Sequence, residues 1–290
     1  MLKFTKISLR MTFHTFFHEV SLFFMRTVTA LILVLIPSLL YAEFETMFIL
    51  SPIPLHRIGL KGAYFTEETM RSKKELYEID AYAEYKFHSA FSAYAAIPYT
   101  ESRIRDTPAK EHFNDVQLGF KFLKQIDRFS FLGGGRIYFP TGKEEYEIGT
   151  QKHYQIEPNL CTIFRYQSLV LSAMIHWKSD LSRNRSEIFE DRSLRHTWTF
   201  EGALSYFQNR FQFLIEFKRI FRYQTEENRL STSVIAPGIF IRFHLSNLGF
   251  SFPINIGRGF EPGGTVAHPQ PSFRDGDFER AVLIKMILYY

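Results

Sequence analysis

The chain has little cysteine and little tryptophan: one cysteine, Cys161, and two tryptophans in 290 residues. A single cysteine cannot form an intrachain disulfide, which excludes a disulfide-stapled scaffold. No apolar run reaches the ~20 residues that a membrane-crossing helix needs. Mean hydropathy is −0.13, which excludes a helical membrane protein. The formal net charge is +5, but Lys3, Lys6, Arg10 and Arg26 lie near the N-terminus, and without them the charge is close to balance. No basic stripe with interleaved aromatics remains, so nucleic acid is not an expected partner. Metal-ligand spacing, a nucleophile elbow and a phosphate-binding glycine loop are all missing. No catalytic residue, metal or cofactor is therefore expected, and the chain does not read as an enzyme.

Aromatics, by contrast, are abundant. They make up 17% of the chain, with Phe 32 and Tyr 15. Many aromatics at near-neutral hydropathy require a structure that separates apolar from polar faces. A membrane barrel wall does this, because residues facing lipid alternate with residues facing the lumen and the average cancels.

The N-terminal region carries an export pattern. Thr29–Leu40 is an apolar run broken by Pro37, with Met25 and Arg26 before it and the small residue Ala42 after it. A short positive region, an apolar core and a small residue at the cut make a cleaved secretory signal. Residues 1–42 are thus expected to be an N-terminal extension plus signal peptide, with Met25 an alternative start to Met1. Residues 43–290 are expected to form one barrel. Residues 43–54, with Pro52 and Pro54, are expected to be a short periplasmic segment or a partial plug.

From residue 55 onward the sequence alternates with period two in stretches of about ten residues, the length a tilted strand needs to cross a bilayer. Ile79, Ala81, Ala83, Tyr85 and Phe87 fall on one face, opposite Glu78, Asp80, Glu84 and Lys86. Val116, Leu118, Phe120 and Phe122 oppose Asp115, Gln117, Gly119 and Lys121. Phe129, Phe131, Ile137 and Phe139 oppose Ser130, Gly134 and Arg136. The same reading applies to residues 169–178, 211–218 and 247–256. Weaker strands are expected near 55–65, 91–99, 153–166, 195–207 and 232–243. Pro98, Pro158, Pro237 and Pro253 fall inside these stretches and are expected at bulges, because proline cannot donate to a ladder. Gly133-Gly134-Gly135 leaves a side-chain-free patch, read as a bend in preference to a thin place for a ligand.

The connections alternate short and long. Short ones fall at His88-Ser89-Ala90, Lys124–Arg128, Tyr166-Gln167-Ser168, Phe207–Arg210 and Leu245-Ser246. Long polar ones fall at 66–75, 100–113, 140–152, 179–194, 221–231 and 257–277. Tight periplasmic turns and long external loops have this asymmetry in outer-membrane barrels. The chain ends on Val282, Ile284, Met286, Leu288 and Tyr290 in alternation, which resembles the terminal-strand signal read by the barrel-assembly machinery. The expected fold is all-β: a transmembrane antiparallel up-and-down β-barrel of about 12 strands in the bacterial outer membrane. Its expected partners are outer-membrane lipid and lipopolysaccharide, the assembly machinery and a small-molecule solute.

Three segments carry a resemblance to a family. They are Ile97-Pro98-Tyr99-Thr100, then Asn114-Asp115-Val116-Gln117-Leu118-Gly119-Phe120-Lys121, then Pro140-Thr141-Gly142. In this order they resemble the outer-membrane transporters named for the MetA-pathway of phenol degradation. Asn114 stands where that family has a glycine, and Phe120 precedes the lysine. The resemblance implies an outer-membrane barrel linked to uptake of aromatic or other apolar compounds.

The inward face of the expected barrel collects charge of both signs. The pore-lining candidates are Glu78, Asp80, Glu84, Lys86, Lys121, Arg136, Glu157, Arg165, His176, Glu201, Glu216, Lys218, Arg242 and Lys285. Signs in similar number favour ion pairing across the lumen over strong anion or cation selectivity. The main expectation is a channel for small or apolar solutes. The alternative is a closed barrel that acts through its loops. Phe243-His244-Leu245-Ser246-Asn247 superficially resembles the His-x-Ser-Asn segment of outer-membrane phospholipase, but it falls in a short turn and reads as a polar turn.

Overall fold

The computed structural model describes residues 45–47, 53–68, 73–104, 110–142, 154–181, 196–223, 229–261 and 280–290. The expected export segment, Glu144, Glu145 and Glu147 of the expected loop 140–152, and His153 at the start of the expected strand 153–166 lie outside them. Every element among the described residues is a strand or a connection between strands.

The order is β1 (Arg57–Glu68), β2 (Lys73–His88), β3 (Phe91–Ile104), β4 (Lys110–Phe113), β5 (Val116–Ile126), β6 (Phe129–Phe139) and β7 (Gln155–Tyr166). It continues with β8 (Leu169–Asp180), β9 (His196–Gln208), β10 (Phe211–Tyr223), β11 (Arg229–Arg242), β12 (Ser246–Ser251), β13 (Ile254–Glu261) and β14 (Arg280–Tyr289). Successive strands pair antiparallel except around β4, where β3 pairs with β5, and at the β12–β13 break, where β11 pairs with both pieces; β14 returns to pair with β1 from Arg57↔Tyr289 to Thr66↔Arg280. The wall is a closed barrel of 12 strands: β12 and β13 act as one interrupted strand, and β4 is an extra piece paired only with β3. Closure removes the unpaired edges that a sheet cannot expose to lipid.

Alternation decides which side chain faces which way. On β2, Ile79, Tyr85 and Phe87 are exposed while Glu78, Tyr82 and Glu84 are buried. On β10, Phe211, Phe213, Ile215 and Phe217 are exposed while Gln212, Leu214 and Glu216 are buried. This inverts a soluble protein: the exposed surface is apolar and the buried face carries the charge. Outward aromatics pair across strands near the short-turn end, as in Phe91 with Phe122 at 5.0 Å and Phe129 with Phe164 at 4.9 Å between ring centroids. Trp177 and Trp198, 6.2 Å apart, mark the opposite end. Two aromatic girdles of this kind bound the apolar band of a membrane barrel.

The four prolines sit where the ladder changes partner or lapses. β3 pairs with β5 up to Ala96↔Gln117 and with β4 from Tyr99↔Phe113, so Pro98 lies at the handover, and its carbonyl accepts the Asn114 N–H at 2.7 Å. The β7–β8 register omits Glu157 and Pro158. Pro237 separates the part of β11 paired with β12 from the part paired with β13, and Pro253 lies in the break between those strands. Short turns open on left-handed residues: Asp127 and Gln167 at φ 51 and Asn209 at φ 53, as two-residue hairpins require.

One expectation needs correction. The strands run further than the apolar alternation suggested: β1 reaches Glu68, β2 begins at Lys73, β3 reaches Ile104 and β13 reaches Glu261. Residues 66–68, 73–75, 100–104, 110–113, 221–223, 229–231 and 257–261 of the expected loops are therefore strand. Backbone pairing continues beyond the lipid, where neither face needs to be apolar, so loss of hydrophobic alternation does not end a hairpin. Gly134 lies tight against its ladder neighbour β5, since a Cβ there would lie 2.6 Å from the Phe120 carbonyl oxygen.

Candidate functional site

The inward faces of β1, β2, β3, β5, β10 and β14 build the first polar cluster. Its centre is the guanidinium of Arg57, which is fully buried. Arg57 donates from Nη1 to Glu45 Oε1 at 2.6 Å, and from Nη2 and Nε to Glu84 Oε2 at 2.6 Å and 2.9 Å. Glu84 also accepts from Lys121 Nζ at 2.7 Å and from Ser92 Oγ at 2.6 Å. A buried carboxylate is tolerable only when paired and hydrogen-bonded, and Glu84 has both.

Glu45 does not belong to the wall. It is followed by Thr46 and Met47, and these three residues lie inside the barrel. Besides Arg57, its carboxylate accepts from Tyr289 OH at 2.9 Å and lies 3.5 Å from Lys285 Nζ. Its carbonyl accepts from Gln212 Nε2 at 2.7 Å. Lys285 also donates to the Thr46 carbonyl at 2.7 Å, and the Met47 N–H donates to Glu216 at 3.0 Å. The segment thus bridges β10 on one side to β1 and β14 on the other. Glu45 and Met47 are 0% exposed and Thr46 is 3% exposed. These three residues are thus enclosed within the barrel and shut off from solvent. Of the expected segment 43–54, residues 45–47 lie inside the barrel, bonded to β10 and to β1 and β14.

A second anchor is apolar. Ile53 packs on an inward cluster of Leu132, Cys161, Ile163, Val170 and Ala203, from β6 to β9. The Leu55 N–H then reaches Glu84 Oε1 at 3.3 Å. Met47 joins a second inward cluster with Tyr82, Leu214, Phe240 and Leu283. Gly249 makes room for it, because a Cβ there would lie 2.7 Å from the Met47 sulfur.

Among the described residues, the second polar cluster is built from the wall and runs across β5 to β10. Arg136 Nη2 pairs with Glu157 Oε1 at 2.8 Å, and Nη1 donates to Gln117 Oε1 at 3.3 Å. Tyr138 OH donates to Glu157 Oε2. The His176 ring lies between two carboxylates, with Nδ1 3.1 Å from Glu157 and Nε2 3.2 Å from Glu201. Lys218 Nζ closes the row 3.6 Å from Glu201. Cations also lie over inward tyrosines, Lys121 over Tyr94 at 5.2 Å and Lys178 over Tyr138 at 4.5 Å, a favourable placement against the ring quadrupole.

Of the sequence-derived candidates, Glu84, Lys121, Glu216 and Lys285 fall in the first cluster, and Arg136, Glu157, His176, Glu201 and Lys218 in the second. Glu78 and Asp80 form a smaller group around Lys61, whose Nζ is 2.7 Å from Asp80. Lys86, Arg165 and Arg242 stand apart toward the short-turn end, where Arg242 donates to the Asn209 carbonyl at 2.5 Å. The sequence reading missed Glu45, Arg57, Lys61, Tyr82, Tyr94, Tyr138 and Gln212. Alternation could have reached Arg57 and Lys61, which share the inward parity of weak strand β1; Glu45 has no periodicity to reveal it. His244 is exposed in the connection between β11 and β12.

The three resemblance segments meet in space. Thr141 Oγ1 donates to the Asn114 carbonyl at 3.0 Å and accepts the Val116 N–H at 3.0 Å. The Gly142 N–H donates to Asp115 Oδ1 at 3.0 Å, and Asn114 Nδ2 reaches Thr100 Oγ1 at 3.5 Å. These residues tie the ends of β3, β5 and β6 together at the handover beside Pro98, so their visible role is to hold the rim.

Comparison with known proteins places the fold. No protein-family model matches the chain, and no curated relative matches it either. Solved structures do. The chain is similar to the COG4313 outer membrane channel from Pseudomonas putida F1, at TM-score 0.61 and 7% identity, covering 87% of this chain and 100% of that one. It is also similar to the NanC porin, at TM-score 0.51 and 11% identity, covering 80% and 99%. For the KdgM porin the values are 0.50 and 7%, covering 81% and 99%. At these identities the likeness is one of fold: an outer-membrane-type β-barrel.

Proposed function

We propose that this protein is an outer-membrane channel for small solutes, closed in the present conformation by its own N-terminal segment. The carrying observation is the position of Glu45, Thr46 and Met47, enclosed in the lumen and bonded to opposite walls. The inverted barrel and its likeness in fold to channels and porins support the setting. Passage requires residues 45–47 to leave or to shift, because they are bonded to β10 on one side and to β1 and β14 on the other. With the ring made of matched ion pairs, the resting lumen carries no dominant sign. The three rim segments, through their resemblance to the MetA-pathway transporters, support an apolar or aromatic solute.

The test is conductance in planar bilayers. The folded protein is expected to be silent or nearly so, and a variant lacking residues 43–54 is expected to show discrete steps. Candidate aromatic solutes should then block those steps. Silence of the shortened but folded barrel would support the alternative, a closed barrel acting through its external surface.

A further inference from the structure

Resting on the outer-membrane reading, we infer that the lipid-facing wall around Arg219 is a binding site for the phosphate of an outer-leaflet glycolipid. Arg219 is on β10 with the outward parity of Phe213, Ile215 and Phe217, so its guanidinium stands on the apolar surface. Its bonds are to hydroxyls: Nη1 donates to Ser233 Oγ at 2.5 Å and Nη2 to Ser231 Oγ at 3.3 Å. It also lies 5.2 Å from the centre of the Phe221 ring. Among the described residues no carboxylate pairs with it. The outward-facing Arg103 on β3 provides the contrast, because it is bonded to Glu101 at 2.6 Å. A cation on a lipid-facing wall is costly unless it reaches an anion, and among the described residues the wall supplies one to Arg103 but none to Arg219.

The height of the site identifies the missing anion. Arg219 is about nine residues up β10 from the short turn, and ~9–11 residues carry a tilted strand across the bilayer. It pairs with Phe200, and Phe221 pairs with Trp198, so it shares the level of the aromatic belt marked by Trp177 and Trp198. This is the external interface, where lipid phosphates lie. The floor is open there: Ser233 pairs with Gly257, and a Cβ on Gly257 would meet nothing within 4 Å. Below the guanidinium, Phe217, Ile215, Ile254 and Ile256 are exposed and give acyl chains an apolar track. Arg280 on β14 is also exposed and outward-facing. It is three strand spacings around the wall, roughly 14 Å away. Two such cations suit a glycolipid that carries two phosphates, and an arginine fork bonds phosphate in bidentate fashion.

The only two tryptophans of the chain stand beside the site and report on it. The folded protein in phosphatidylcholine nanodiscs is titrated with diphosphorylated lipid A, with dephosphorylated lipid A and with inorganic phosphate, following tryptophan emission. Diphosphorylated lipid A is expected to bind at least tenfold more tightly than the dephosphorylated form. Arg219→Gln is expected to remove that preference, Arg280→Gln to reduce it, and Arg103→Gln to leave it unchanged. Heat-modifiable migration checks that each variant is folded. Equal binding of the two lipids, or an unchanged preference in folded Arg219→Gln, overturns the proposal. Competition by inorganic phosphate at the same concentrations as lipid A overturns the lipid as ligand in favour of a plain anion site. Failure of the wild-type protein to insert into nanodiscs overturns the outer-membrane reading and this site with it.

Discussion

The two polar clusters of the lumen use the same chemistry to different ends. The β5–β10 cluster takes every member from the wall: Gln117, Arg136, Tyr138, Glu157, His176, Glu201 and Lys218 each sit on a strand fixed by its ladder. Its bonds join strands that are already paired, so it stiffens the wall and can open only if the barrel distorts. The β1–β14 cluster includes Glu45, a residue outside the ladder, as the shared partner of Arg57, Lys285 and Tyr289. A matched buried network is stable when complete and costly when one member is removed. In the first case the cost falls on folding. In the second, the same charges have a detachable member, and the cost falls on opening.

That contrast can be broken or sharpened by experiment. The largest effect is expected for Arg57→Ala, which leaves Glu45 and Glu84 buried without their common cation. A loss of about 3–5 kcal/mol is expected, read as a lower midpoint in urea unfolding followed by gel migration. Glu157→Gln removes the charge that Arg136 and His176 share. It should cost about 1.5–3 kcal/mol by the same measurement and leave the channel silent. Glu45→Gln keeps most hydrogen bonds and should cost only about 1 kcal/mol, but it should raise the frequency of conducting steps in bilayers. Conduction in Glu157→Gln with silence in Glu45→Gln would reverse the assignment of the two clusters. The smallest effect is expected for Thr141→Val, which loses the bonds to Asn114 and Val116 and should cost about 1 kcal/mol without altering conductance. A change of conductance there would give the rim segments a role in gating.

Much of the wall was legible because a barrel writes itself into sequence with period two. Glu78, Glu84, Lys121, Glu157, Glu201 and Glu216 are inward because Ile79, Tyr85, Phe120, Phe200 and Phe217 must face lipid, and one parity determines the other. The prolines were legible as irregularities but not as handovers, since partner exchange at Pro98 and Pro237 depends on strands distant in the sequence. The extended hairpins beyond the bilayer were misread as loops, because no apolar requirement marks them. The pairing of lumen charges was hidden for a related reason. Parity says that a residue points inward, but the register and closure of the barrel decide which inward residues meet, as when Lys285 meets the Thr46 carbonyl across the chain.

By itself the sequence determined the class of fold, the approximate number of strands, the face of each side chain and the mixed charge of the lumen. These follow from local alternation against two solvents, lipid outside and a polar interior. Only the tertiary structure decided that residues 45–47 occupy that interior. It also decided that Glu45 completes the network of Arg57 and Lys285, and that Arg219 stands on the lipid face beside two serines and no described carboxylate. Those outcomes depend on barrel closure, which brings residues from opposite ends of the chain within bonding distance, and no local pattern encodes that meeting.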